Sequence, residues 1–143
     1  LLILNTNKEL MLIMKKTRQT LQKDIVFRTL EQMKNHPSAE QVFEEIQKKY
    51  PAISKATVYR NLKQLGKTGD IKHIEMPDSA DRFDHFTANH YHIKCNVCGK
   101  VSDIDMPYFE KIAEFIKDSK GFIIETHDVV FKGICSDCKK DKK

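Results

Sequence analysis

Four cysteines stand in two pairs, Cys95-Asn96-Val97-Cys98 and Cys135-Ser136-Asp137-Cys138, with two residues between the thiols of each pair. This spacing lets one turn present both sulfurs to a single ion, and zinc is satisfied by four thiolates at about 2.3 Å with no further ligand. Such a site is closed and is expected to be structural. The same spacing also fits two unrelated reduced pairs or a redox dithiol, but two matched pairs favour the metal. A second candidate cluster is built of nitrogen and oxygen. His90-Tyr91-His92 puts two imidazoles on one face of a strand, because side chains alternate there. Asp84 lies shortly before them, Asp103 on the returning strand, and His36 in the link between two helices. Three imidazoles and two carboxylates suit Fe(II), Mn(II) or Zn(II). A His-x-His alone reads equally well as two surface histidines; the adjacent cysteine pair and the acids favour a metal.

No HExxH helix, nucleophile elbow or phosphate-binding glycine loop accompanies these residues, and the chain has only five glycines. No catalytic residue is therefore assigned and no enzyme is expected. A metal-dependent hydrolase using the His/Asp cluster, or a zinc-ribbon interaction module that never touches DNA, are the rival classes.

The elements that must hold these residues follow from periodicity and punctuation. Leu21, Ile25, Val26, Leu30 and Met33 fall on one helical stripe that runs out at Asn35-His36-Pro37. Ser38 can cap a second helix with Val42, Phe43, Ile46 and Tyr50 on its stripe, stopping before Pro51. Ser54 can cap a third, with Val58, Leu62 and Leu65 inward and Lys55, Tyr59, Arg60 and Lys63 outward, closed by Gly66 to Gly69. Strands at 70–76 and 82–86 flank a turn at 77–81. Three helices followed by a hairpin make a winged helix-turn-helix. Beyond it, strands at 90–94 and 100–104 flank the first cysteine pair. Pro107 is expected to start a helix with Phe109, Ile112, Ala113 and Ile116 on one face and Gly121 at its end, and 122–133 reads as β-rich. The fold class is α+β. Residues 1–86 form an N-terminal winged helix-turn-helix DNA-binding domain and 87–143 a C-terminal α/β domain that binds metal and dimerises. Residues 1–14 read as a non-native or disordered extension, with Met14 a natural start.

The chain has 143 residues, 40% apolar, which suffices for one modest core or two small ones. Residues 1–77 carry 14 Lys/Arg against 8 Asp/Glu, and residues 78–143 carry 11 against 12, so the halves are +6 and −1. A basic half joined to a neutral one suits a nucleic-acid module carried on an assembly or sensing module. The apolar start is interrupted by polar residues and lacks a cleavage signal, so no membrane segment or signal peptide is read and a soluble, cytoplasmic protein is expected.

Taken together, His36-Pro37-Ser38-Ala39, Ala56-Thr57-Val58-Tyr59-Arg60-Asn61-Leu62, Arg82-Phe83-Asp84, His90-Tyr91-His92 with Cys95, Cys98, Gly99 and Lys100, and the closing Cys135 and Cys138 resemble the ferric uptake regulator family over roughly residues 18–140. The resemblance implies a homodimeric metalloregulator that binds double-stranded operator DNA in its metal-bound form, usually to repress. It implies structural Zn2+ on Cys95, Cys98, Cys135 and Cys138, and regulatory Fe2+ or Mn2+ on His36, Asp84, His90, His92 and Asp103. Lys55, Thr57, Tyr59, Arg60 and Lys63 become the DNA-binding residues, with Tyr59 and Arg60 reading bases and Lys55 and Lys63 meeting phosphates. Asp at both 84 and 103 is similar to peroxide-responsive members, in which iron-catalysed oxidation would fall on His36 or His90. Arg60 is more similar to iron-uptake members, and an iron- or zinc-uptake regulator is the alternative. No small-molecule substrate is implied beyond metal and peroxide. Glu110 and His127 match two ligands of a further metal site, but Asn89 and Tyr91 stand where its others would be, so that site is expected to be absent or weak. Lys23 replaces the family's usual arginine.

Overall fold

The computed structural model describes residues 7–141, and the first six residues of the extension lie outside them. The chain divides between Thr87 and Ala88 into two compact units.

The first unit opens with α1 (Asn7–Gln32), a 26-residue helix. No proline or glycine interrupts this stretch, so the helix runs well upstream of Leu21, where the expected stripe begins, and takes in residues 7–14, expected from sequence to lie outside the fold. The expected stripe is shorter than the helix: Val26 and Leu30 are buried, whereas Leu21 is 60% exposed. α2 (Ala39–Gln47) is fixed by a capping box, in which the Gln41 amide donates to Ser38 Oγ (3.3 Å) and the Ser38 amide donates to Gln41 Oε1 (2.9 Å). Tyr50, expected on its inward stripe, lies beyond the helix and is exposed. α3 (Lys55–Thr68) is capped by Ser54, which accepts from the Thr57 amide, and stops at Gly69 with φ 79°, a left-handed conformation that glycine adopts without a Cβ clash. Val26, Leu30, Val42, Ile46, Ile53, Val58, Leu62, Leu65, Ile71 and Phe83 share one core. The wing is the antiparallel pair β1 (Lys72–Ile74) and β2 (Arg82–Asp84), with His73 opposite Phe83. Asp81 staples its turn, accepting the Met76 amide on Oδ1 (3.1 Å) and facing His73 Nε2 with Oδ2 (2.7 Å).

The second unit is a three-stranded sheet ordered β4-β3-β5, with β3 (Tyr91–Cys95) antiparallel to β4 (Val101–Ile104) and parallel to β5 (Val130–Gly133). A short α4 (Ser136–Lys140) follows. Two expectations are corrected here. The helix anticipated from Pro107 to Gly121 is only a 3-10 turn, Ile112–Phe115, without a side-chain cap. The β-rich stretch 122–133 narrows to β5. The cause is common to both: Phe109, Phe115, Phe122 and Ile123 are exposed, Phe115 by 84% and Ile123 by 91%, and an amphipathic segment draws most of its stability from packing its apolar face. Within the chain that face has little to pack on.

Candidate metal centres and nucleic-acid interface

The parallel pairing of β3 with β5 sets Cys95 beside Gly133, so the chain arrives at Cys135 two residues later alongside the first thiol pair. Cys95, Cys98, Cys135 and Cys138 each offer a sulfur within 4.8 Å of the others, and none is in a disulfide. Four sulfurs at about 2.3 Å from one tetrahedral ion lie about 3.8 Å apart, and Cys98 Sγ is 3.8 Å from Cys135 Sγ. The electrostatics fit a cation as well. Cys95 is drawn down to about 6, chiefly because its sulfur accepts the Cys135 amide, and then that of Cys98. Cys138 is pushed up to about 12 by the neighbouring thiol of Cys135, then by burial and the other two sulfurs. One sulfur is ready to be a thiolate and another resists it. A divalent ion held by all four sulfurs would relieve this conflict.

The nitrogen and oxygen ligands occur as two sets, one in each unit. In the first, His36 and Asp84 are buried, with His36 Nε2 3.2 Å from Asp84 Oδ2. Asp84 Oδ1 is held by the Phe86 amide (2.9 Å), which turns Oδ2 toward the imidazole. His36 has φ 50°, an uncommon left-handed conformation for a residue with a side chain. Its backbone is fixed to the wing: the His36 carbonyl accepts from Arg82 Nη1 (3.3 Å), and the Pro37 carbonyl accepts the Phe83 amide (2.9 Å).

In the second unit, His92 on β3 and His90 just before it bring their rings within 4.4 Å of each other, and both Nε2 atoms approach Asp103 Oδ1, at 2.8 and 3.4 Å. His92 is 3% exposed, and both Nε2 atoms are closed to water. His90 Nδ1 lies 2.6 Å from the Ala88 carbonyl. A carbonyl can only accept, so Nδ1 donates there, which orients the ring with Nε2 toward the Asp103 carboxylate. Two such nitrogens converging on a carboxylate oxygen form a donor set suited to a divalent transition metal.

Glu110 and His127 make no such set. The ring of His127 is taken by two hydroxyls, Tyr91 Oη at 2.8 Å from Nε2 and Tyr108 Oη at 3.3 Å from Nδ1, while Glu110 is exposed. Tyr91 Oη also accepts the Phe109 amide (3.0 Å). Neither Glu110 nor His127 joins a group of three candidate ligands among the described residues. Tyr108 was not singled out from sequence, since a lone tyrosine in a loop carries no period.

On the first unit, α3 presents Lys55, Tyr59, Arg60 and Lys63 outward, while Thr57 is half-buried in the cap, its hydroxyl 2.8 Å from Ser54 Oγ. Arg60 shares a cleft with Lys16 and Lys23 of α1, which extends the basic surface of α3 onto the first helix. On this surface sequence reasoning missed Glu40. Glu40 of α2 pairs with the Lys55 ammonium and accepts from Tyr59 Oη (2.9 Å). In sequence it is one acidic residue in the first turn of α2, with nothing local to tie it to Lys55 or Tyr59.

A winged helix joined to a unit carrying a four-thiol cluster and an imidazole-carboxylate set defines a metal-binding transcription regulator. Residues 14–132 match the ferric uptake regulator family, and the chain belongs to it. Its members regulate transcription and are not enzymes. The chain is 34% identical over 124 residues to the peroxide-responsive repressor PerR of Staphylococcus epidermidis, covering 87% of this chain and 83% of that one. The Campylobacter jejuni peroxide stress regulator superposes with a TM-score of 0.69 at 27% identity, covering 93% of this chain and all of that one. The Helicobacter pylori ferric uptake regulator Fur shares the fold, with a TM-score of 0.70 at 23% identity over 98% of each chain. No helix among the described residues is long and apolar enough to cross a membrane.

Proposed function

We propose that the chain is a peroxide-responsive, metal-dependent repressor that binds double-stranded operator DNA as a cytoplasmic homodimer. In this reading His36 and Asp84 join His90, His92 and Asp103 around one regulatory ion, Fe2+ or Mn2+, while the four cysteines hold structural Zn2+. The observation that carries it is the division of the second ligand set: two ligands belong to the unit bearing the recognition helix, and three belong to the other. An ion held by all five fixes one unit against the other. In a dimer, that angle sets the spacing of two recognition helices, which must match half-sites about one helical turn, ~34 Å, apart or a multiple of it. The exposed apolar residues Phe109, Phe115, Phe122 and Ile123 give the second unit a surface suited to a second copy.

Ferrous iron supplies reducing electrons to hydrogen peroxide, which manganese does not do readily. The chain would supply the imidazole that is oxidised, His36 or His90: net, one peroxide oxygen is inserted at a ring C–H, the imidazole losing two electrons, and the other peroxide oxygen leaves as water. Oxidation lowers its donor strength, and the two units lose the tie between them. The cysteines, committed to zinc, are not required. Peptide mass spectrometry of the Fe(II) and Mn(II) forms after low peroxide should show one added oxygen on His36 or His90 with iron only, together with loss of DNA binding. If neither histidine gains oxygen and DNA binding survives, the protein is an iron or zinc sensor of the same fold.

A further inference from the structure

Glu40 stands where two of the DNA-facing side chains meet. The Lys55 ammonium and the Tyr59 hydroxyl converge on the same atom, Glu40 Oε2. Lys55 Nζ also sits over two aromatic rings, 5.6 Å from the centre of Tyr59 and 6.0 Å from that of Phe43. The cluster therefore joins α2 to the first turn of α3 on the outer face of the first unit. Its charges answer one another: the carboxyl of Glu40 is held below its usual range by the Lys55 contact and then by Tyr59, and Lys55 is held above its usual range chiefly by Glu40.

Two consequences follow from hydrogen-bond inventory. A lysine whose charge is already offset by a carboxylate and two ring faces neutralises no phosphate and so displaces none of the cations condensed on DNA. A phenol has one proton, and Tyr59 gives it to Glu40, so toward DNA its oxygen can only accept. In the major groove the donors open to such an oxygen are the amino groups of adenine and cytosine. Resting on the DNA-binding reading above, we propose that Glu40 is a positioning residue of the recognition surface. It keeps Lys55 as an internal counterion rather than a phosphate contact, and it sets Tyr59 to read a base amino group.

The test is a salt titration of the Mn2+-loaded full chain on short random-sequence duplex DNA. Each phosphate contact contributes about 0.9 to the slope of log K against log salt, or about 3.5-fold in affinity over a fourfold change in salt. K63A should flatten the slope by that amount, and K55A should leave it unchanged. E40Q should steepen it by the same amount, and the double variant E40Q/K55A should restore the wild-type slope. K55A flattening the slope as K63A does, or E40Q leaving it unchanged, overturns the inference. So does a double variant that stays as steep as E40Q, since Glu40 would then act by repulsion alone. Selection from a random duplex pool reads the second half. At the base pair whose preference Y59F abolishes, replacing adenine by purine or cytosine by 2-pyrimidinone, each lacking the amino group, should weaken the wild-type chain and leave Y59F unaffected, and an equal loss in both overturns the assignment. A wild-type chain with no salt-dependent DNA binding at all removes the DNA-binding reading itself, and this inference with it; loss confined to the Lys55 and Tyr59 tests leaves that reading standing.

Discussion

Cys98 and Arg60 act at opposite ends of the chain's chemistry, and each makes a separate demand on its surroundings. Cys98 Sγ stands at the tetrahedral edge distance from Cys135, in a cluster where the thiols oppose one another's ionisation. Zinc held there by all four thiols would contribute its binding free energy to folding. Cys98→Ser should release the zinc, and sedimentation should find the protein aggregated or monomeric. Retained zinc and an intact dimer would show that the four-thiol assignment is wrong. Arg60 lines the cleft it shares with Lys16 and Lys23. Arg60→Ala should lower discrimination between operator and random duplexes by about 1 to 3 kcal/mol, measured as the ratio of the two affinities. An unchanged ratio would move base reading away from α3.

The wing shows how an element can rest on one side chain. Burial pushes the Asp81 carboxyl up, but the Met76 amide and His73 outweigh it and hold its pKa below the usual carboxylate range. A carboxyl depressed in the folded state adds stability that is present above its unfolded pKa and is lost as pH falls through the folded one. The wing turn should therefore loosen under acid. Asp81→Ala should do the same at neutral pH, with the Met76 amide exchanging its hydrogen roughly fivefold faster for the loss of about 1 kcal/mol; unchanged exchange would assign the turn to its backbone alone. Elements of this kind were legible in the sequence because their signals are local. Ser38 with Gln41, Ser54 and Gly69 mark the ends of α2 and α3, and Val58, Leu62 and Leu65 mark the inward face of α3. The two cysteine pairs and the His-x-His were legible from spacing in the same way. The stretch 107–121 was not, since its period is real but its support is not local: Phe109 and Phe115 have no apolar layer within the chain to cover them. Glu40 escaped for a related reason, because its partners lie 15 and 19 positions away on another helix.

At the scale of the molecule, the exposed apolar side chains of the second unit put the proposed homodimer to the test. Phe115, Phe122 and Ile123 are each exposed by 74% or more, too much apolar surface in one short region to be left in water without consequence. If a second copy covers it, the interface should tolerate no charge there, whereas the four-thiol cluster depends only on the chain's own β3, β5 and α4. Phe115→Glu should therefore yield a monomer that keeps one equivalent of zinc. Its operator binding should weaken far more than its affinity for random duplexes, because a single recognition helix loses the second half-site while its phosphate contacts remain. The α3 and wing core lies wholly in the first unit, so its unfolding should be unaffected. Sedimentation, zinc content and the two DNA titrations on one preparation decide the matter. A Phe115→Glu protein that stays dimeric places the interface elsewhere, and one that loses zinc along with the dimer shows that the cluster and the assembly fold as one.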